Sequence, residues 1–164
     1  MRRYWQWFLA RLDGPAALGW LAAYIFLVSF LLPLPSEAAI LVIVLGSRVR
    51  PRTVFAIALG AAALGAAAGY FLAAPFAALI PALIPPGVDG MLDAFTFLAV
   101  FVSSVTPLPH QPFVIAAGLL QVPFLTFISA FILGRAIHFA IVIWILATAR
   151  RVGASLAERK KPTV

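Results

Sequence analysis

Two normally charged side chains lie inside the apolar stretches of this sequence, Glu37 and Arg135. Arg135 is eleven residues beyond Phe124, where its helix is predicted to begin, or about 17 Å of helical rise. In the hydrocarbon interior of a bilayer an uncompensated charge costs at least about 3 kcal/mol, so both side chains are expected to face protein or water. Together they would make a polar site, in which the guanidinium fork suits a phosphate group and the carboxylate exchanges protons.

Each of the two also has a purely structural interpretation, which the sequence leaves open. Ser36 can cap a short helix, and a carboxylate at Glu37 in the first turn of that helix suits its dipole. Arg135 can be a buried partner that stabilises the fold.

Four weaker candidates lie near these positions: Ser104, His110, Gln111 and His138. His110 either titrates near neutrality or is a neutral, hydrogen-bonded side chain. His138 follows Arg135 by three residues on the same helix face, and is either a packing neighbour or a proton carrier. We expect the hydroxyl of Ser104 to hydrogen-bond interrupted backbone rather than a ligand.

These candidates are positioned by a short proline turn that occurs twice. Residues 33–37 have the sequence PLPSE and residues 107–111 have the sequence PLPHQ, 74 positions apart. Prolines remove backbone donors and make a continuous helix costly. The turn residues are Pro33, Pro35, Ser36, Pro107 and Pro109. Residue pairs on either side of the turns keep the same offset, which predicts an internal repeat.

The composition indicates that the solvent of this chain is a membrane. The 164 residues are 64% hydrophobic and 10% charged with a mean hydropathy of +1.08, whereas soluble domains carry about 25% charged residues. Because there is no cysteine and the two histidines are far apart in sequence, neither a metal site nor a cofactor is expected. Nucleotide loops, HExxH and GxSxG are absent as well, so an enzyme is not favoured.

The basic residues are placed outside the apolar stretches. Every Lys and Arg except Arg135 falls within residues 2–11, 48–52 or 150–161. Basic segments of this kind mark the cytoplasmic side of a membrane protein and attract anionic lipid headgroups. We therefore expect lipid rather than nucleic acid as the partner, and both termini on the cytoplasmic side.

The chain divides into three parts on this basis. Residues 1–13 mix arginines with aromatics, which predicts an amphipathic segment in the membrane interface. Residues 14–149 are expected to form one membrane domain, with repeat 1 over about 18–84 and repeat 2 over about 94–149. Residues 150–164 are predicted to be a basic cytoplasmic tail.

The lengths of the apolar stretches predict which of them cross the bilayer. Ala38–Leu45 would rise about 12 Å, well short of the ~30 Å hydrocarbon core, whereas Val54–Ile80 and Phe124–Ala149 are long enough. Since arginines flank both ends of the first broken stretch, it is expected to enter and leave on one side. We predict an all-α integral membrane fold with an inverted-topology repeat, in which each half is a re-entrant helical hairpin plus one transmembrane helix.

Small residues in the first predicted span have the spacing of a helix-packing surface. Ala61, Gly65 and Gly69 recur every four residues, which lets another helix approach closely. The glycines expected to pack in this way are Gly60, Gly65, Gly69, Gly118 and Gly134.

Two segments resemble the DedA superfamily of membrane proteins, also called the SNARE-associated or VTT-domain family. They are residues 29–46, SFLLPLPSEAAILVIVLG, and residues 103–139, SSVTPLPHQPFVIAAGLLQVPFLTFISAFILGRAIHF. The branch that these segments resemble most is the short, YqaA-like bacterial one, and the resemblance covers about residues 28–144. It implies two facing re-entrant hairpins, a place in the bacterial inner membrane, and lipid translocation linked to proton-motive force.

The resemblance also assigns roles to single residues. The family's acidic residue in the first turn and its arginine after the second hairpin fall on Glu37 and Arg135. Larger members carry arginines around the second turn, where this chain has Ser104 and His110, and short-branch members often place a basic residue at Gln111. This departure favours a zwitterionic lipid or a scramblase-like leak over a polyprenyl phosphate.

The function expected from the sequence is movement of phospholipid or a polyprenyl-phosphate carrier between leaflets, as a flippase or scramblase. One alternative is a secondary transporter for a small ion, and another is a membrane assembly or homeostasis factor without transport. The expected partners are membrane lipids and, if transport is coupled, protons. The sequence leaves the oligomeric state open, with a homo-oligomer among the alternatives.

Overall fold

The structure, a computed structural model, describes residues 14–30, 34–79, 89–107 and 109–159. These residues form six α-helices and one 3-10 helix, with no strand among them, so the predicted all-α class is confirmed. The interfacial segment predicted for residues 1–13, the turn proline Pro33 and the end of the predicted tail lie outside the described residues.

The two proline turns fall between successive helices. The helices are α1 (Pro15–Phe30), α2 (Ser36–Gly46), α3 (Pro51–Ala73), α4 (Asp89–Val105), α5 (Gln111–Leu119) and α6 (Phe124–Arg159), with the 3-10 helix (Ala74–Leu79) directly after α3. The first turn lies between α1 and α2, and the second lies between α4 and α5. Pro51 and Pro112 stand in the first turns of α3 and α5, where a missing N–H costs nothing. At the end of α5, Gln121 has a left-handed φ of 51°, and the Val122 N–H bonds the Ala117 carbonyl.

Among the described residues, two helical stretches are long and apolar enough to cross a membrane. Pro51–Ala77 has 27 residues and Phe124–Gly153 has 30, so they rise about 40 and 45 Å against a hydrocarbon core of ~30 Å. Helices α2 and α5 have only 11 and 9 residues, or about 16 and 14 Å. By length, the short helices cannot cross on their own.

Two predicted boundaries differ from the structure. Helix α6 continues to Arg159 instead of ending near residue 149, so the first part of the predicted tail is helical. Helix α4 begins at Asp89, before the predicted start of repeat 2 near residue 94. Residues 150–159 are mostly Arg, Ala, Leu and Glu, which favour a helix, so α6 does not end where its apolar stretch ends.

The chain has two halves, α1–α3 and α4–α6, whose helices pack in corresponding ways. Within the halves, α1 packs on α3 and α4 packs on α6. Between the halves, α5 packs on α3, α2 packs on α6, and the two long helices contact each other. Phe127, Phe131 and Phe139 are fully buried along α6, so this helix contributes much of the core.

Glycines lie where these helices come closest. A Cβ added at Gly65 would lie 2.5 Å from the Phe26 carbonyl oxygen, and one at Gly134 would lie 2.8 Å from the Phe101 carbonyl oxygen. Gly69 and Gly118 lie in similarly close contacts between α3 and α5. Gly60 departs from the expectation: it is exposed, and a Cβ there would meet no described atom within 4 Å. The offset of 74 relates Gly134 to Gly60, but in the first half the corresponding helix contact lies five residues beyond Gly60, at Gly65.

Candidate functional site

The two proline turns border one cavity. Residues 34–35 follow α1 and lead into α2, while residues 106–110 separate α4 from α5. The cavity has a volume of about 170 Å³ and is lined by Leu34, Pro35, Ser36, Glu37, Pro107, Pro109, His110, Gln111 and Arg135. The folding therefore brings both copies of the turn to a single place, together with one side chain from α6.

Glu37 lies in the first turn of α2, and its side chain is 31% exposed. Its Oε1 lies 2.6 Å from His138 Nε2 and accepts a hydrogen bond of 3.1 Å from the Ser36 hydroxyl. The nearest Arg135 nitrogen, Nη1, is 3.9 Å away, which is an ion pair without a hydrogen bond. The two charges predicted to be neighbours are thus close, but the direct partner of the carboxylate is a histidine.

Arg135 is buried, with 4% of its side chain exposed. Its Nη2 lies 2.5 Å from His110 Nδ1, and its guanidinium carbon is 5.3 Å from the centre of the Phe139 ring. Its Nε has no hydrogen-bond partner among the described residues. A guanidinium has only donors, so His110 must accept at Nδ1 and is neutral in this arrangement. Of the two interpretations open for His110, the geometry supports the neutral one.

His138 connects the site to the end of α4. Its Nδ1 lies 2.8 Å from the Val105 carbonyl oxygen, and its Nε2 faces Glu37. Val105 is the last residue of α4, where carbonyl groups lack partners within the helix. His138 therefore contacts α2 and α4 from its place on α6, which is more than a packing neighbour does.

Gln111 borders the cavity but also connects the two halves. Its Nε2 donates a hydrogen bond of 2.7 Å to the Val28 carbonyl oxygen in the last turn of α1. The start of α5 is thereby bonded to the end of α1. This side-chain-to-backbone contact joins the helix pair α1–α2 to the helix pair α4–α5. This contact supports a positioning role for Gln111 beside its place in the cavity wall.

Ser104 lies away from the cavity, in a helix contact. Its Cβ is one of the atoms that a side chain at Gly134 would meet, and its Oγ is buried without a partner among the described residues. Two neighbours bond the backbone of α4: Ser103 donates to Val100 O at 3.0 Å and Thr106 donates to Val102 O at 2.9 Å. The structure thus gives Ser104 a packing position outside the cavity lining, and the backbone hydrogen bond expected for its hydroxyl is not found among the described residues.

Two side chains outside the cavity hold the ends of the short helices, and sequence reasoning missed both. Tyr70 of α3 donates to the Val122 carbonyl after α5 at 2.5 Å. Arg150 of α6 donates to the carbonyls of Val44 and Ser47 at the end of α2, at 3.1 and 2.7 Å. In each case the long helix of one half bonds the carbonyl end of a short helix in the other. Carbonyls at helix ends need donors, but only the tertiary packing decides which donor reaches them.

Comparisons with protein-family models, with curated proteins and with solved structures found no match. Within the part of the chain that the structure describes, no three metal-ligating side chains are close enough to hold an ion. The groups of the site are a partly exposed carboxylate, a buried guanidinium, two imidazoles and the backbone around two helix breaks.

Proposed function

We propose that this protein is an integral membrane transporter that moves lipid between the leaflets of a bacterial inner membrane. In this proposal α3 and α6 span the bilayer, while α1–α2 and α4–α5 are re-entrant hairpins that enter from opposite sides. The headgroup crosses through the polar cavity between the two turns, and the acyl chains stay in the bilayer. This is the arrangement implied by the resemblance to the DedA superfamily.

Helix length and packing support the topology. The short helices cannot cross, and each lies beside a long apolar helix of the other half. Interrupted backbone at membrane depth is tolerated only where it is covered by protein or lines a wet cavity. Both interruptions border the cavity, as a pair of re-entrant hairpins requires.

The observation that carries the proposal is the position of Arg135 at the wall of this cavity. It is a buried cation with one unpaired N–H among the described residues, and its counter-charge, Glu37, lies 3.9 Å away without a hydrogen bond to it. Burying a cation in this way is costly unless an anion completes its contacts. A phosphate group does so best, because the guanidinium fork matches two of its oxygens.

The surfaces beside the cavity support lipid rather than a free ion as the cargo. Leu34 borders the cavity and is 48% exposed. Exposed apolar side chains continue along both short helices, at Leu41 and Leu45 of α2 and at Phe113 and Ile115 of α5. In a membrane these faces lie against acyl chains, so a headgroup in the cavity can keep its tails in lipid.

Lipid movement is tested by reconstituting the full chain in liposomes that contain fluorescent phospholipids. Dithionite quenches the dyes of the outer leaflet, so the proposed function predicts quenching beyond one half of the dye in vesicles with protein. Protein-free vesicles are the control for leakage. If folded protein moves no lipid and instead conducts a small ion, the ion transporter replaces this proposal. If it moves neither, the assembly factor does.

A further inference from the structure

We propose that Glu37 and His138 form one proton-binding pair, and that the pair takes up its proton together with a singly charged phosphate group bound by Arg135. This inference rests on the proposed lipid transport. It adds a proton as the second species bound at the site and gives the charge class of the headgroup.

The hydrogen bonds of His138 determine where its proton lies. The Val105 carbonyl oxygen, 2.8 Å from Nδ1, can only accept, so Nδ1 carries a hydrogen. Nε2 lies 2.6 Å from Glu37 Oε1, a distance that requires one proton between the two atoms. The pair is then either a carboxylic acid beside a neutral imidazole or a carboxylate beside an imidazolium. In both forms it has one shared proton and no net charge.

The other titratable groups around Glu37 do not share this role. His110, at the start of α5, accepts from Arg135, and a protonated imidazole there would set donor against donor. Tyr24 of α1 has its hydroxyl on the Pro35 carbonyl, at 3.2 Å. Arg135 itself is the only fixed cation within 4.0 Å of the carboxylate among the described residues.

Loss of the shared proton changes the partner of Arg135. Without it, the carboxylate faces the lone pair of Nε2 and needs a new donor. The nearest guanidinium nitrogen, now 3.9 Å away, can provide one after a small movement. The deprotonated pair thus neutralises Arg135, while the protonated pair leaves the positive charge to a bound anion. Proton and anion therefore favour each other's binding, and this coupling is reciprocal.

The same charge balance limits the headgroup. One arginine charge matches one phosphate charge, as in the phosphodiester of a phospholipid. A phosphomonoester carries close to two charges near neutrality and would leave one of them without a counter-charge at this site. The inference therefore favours diester phospholipids over polyprenyl monophosphates.

Binding of dihexanoylphosphatidylglycerol to the full chain in detergent tests this coupling, because the charge of this probe does not change between about pH 5 and 8. Calorimetric titration in two buffers of different ionisation enthalpy counts the protons exchanged, with protein-free micelles as the blank. If the shared proton and the anion bind together, the affinity should fall as the pH rises and binding at the upper end of this range should take up close to one proton.

Two variants should move the affinity in opposite directions. Glu37→Gln removes the charge that competes for Arg135, so it should bind the probe more tightly than wild type at about pH 8. His138→Gln keeps a donor for the carboxylate but cannot carry the proton, so it should bind more weakly than wild type at about pH 5. A misfolded variant cannot gain affinity, so tighter binding by Glu37→Gln would be an effect of the lost charge and not of a change in folding.

If the wild-type protein binds the probe with the same affinity at every pH in this range and exchanges no proton, the proposed proton-binding pair is wrong, even if the protein moves lipid. Proton-linked binding in a protein that moves no lipid would instead support the pair and overturn the transport proposal.

Discussion

Glu37 and His138 lie 101 residues apart in sequence, and their side chains meet at 2.6 Å between Oε1 and Nε2. The acid comes from the first turn of α2 in one half, and the imidazole comes from α6 in the other. The candidate site is therefore complete only when both halves are docked. Any movement that separates α2 from α6 breaks this contact, together with the pairing of Glu37 and Arg135.

The contact between α1 and α3 predicts a difference between two glycines of α3. Gly65→Ala places a Cβ against the Phe26 carbonyl and should destabilise the fold by about 1–3 kcal/mol. Gly60→Ala is the matched control, since its Cβ meets open space and the change should stabilise the helix by up to about 1 kcal/mol. Thermal unfolding in detergent measures both. Equal shifts for the two variants would contradict this packing.

The hydrogen bonds of Arg150 predict that its loss destabilises the fold more than the loss of another positive charge in the tail. Arg150→Gln removes its hydrogen bonds to the carbonyls at the end of α2, which should cost about 1 kcal/mol of unfolding free energy. Both positions are exposed, so Arg151→Gln removes the same charge without these bonds to α2 and should change stability little. Unfolding in detergent compares the pair, and an equal loss in both would show that only net charge matters.

The left-handed backbone at Gln121 predicts a stabilising substitution. Gln121→Gly should raise the unfolding free energy by up to about 1 kcal/mol relative to Gln121→Ala, because glycine adopts this φ without a steric penalty. Both variants lose the same amide, so the comparison isolates the backbone. A glycine variant no more stable than the alanine variant would argue against this helix end.

The inverted topology predicts that the two connections around α3 lie on opposite sides of the membrane. The chain has no cysteine, so single cysteines at Arg50 and Asp89 can be labelled without a background. In intact cells an impermeant maleimide should react at Asp89 and not at Arg50, where labelling should require permeabilised membranes. Labelling of both positions from one side would contradict the inverted repeat.

Much of the fold follows from simple properties of the sequence. The prolines of the two turns predict both helix breaks, and the lengths of the apolar stretches predict the two long helices. Glu37 and Arg135 stand out because a charge is costly in an apolar stretch. That both border one cavity is a finding of the structure.

The remaining details depend on tertiary packing. The hydrogen bond of Glu37 to His138 rather than to Arg135 depends on how α6 is rotated about its axis, which a pattern of residue types does not determine. The same holds for Gly60, which the sequence predicts to pack like Gly65 and Gly69 and which does not. There the sequence offset of 74 matches the turns, but it does not match the helix contact.

The proposed role of Arg135 is tested most directly by the fluorescent-lipid assay on two arginine variants. Arg135→Gln and Arg151→Gln remove one positive charge each from α6, one at the cavity and one at an exposed position. At matched amounts of folded, reconstituted protein, Arg151→Gln should move phospholipid at the wild-type rate. Arg135→Gln should be at least about tenfold slower, the effect of losing about 1.4 kcal/mol of headgroup binding. Equal rates for Arg135→Gln and wild type would contradict the account.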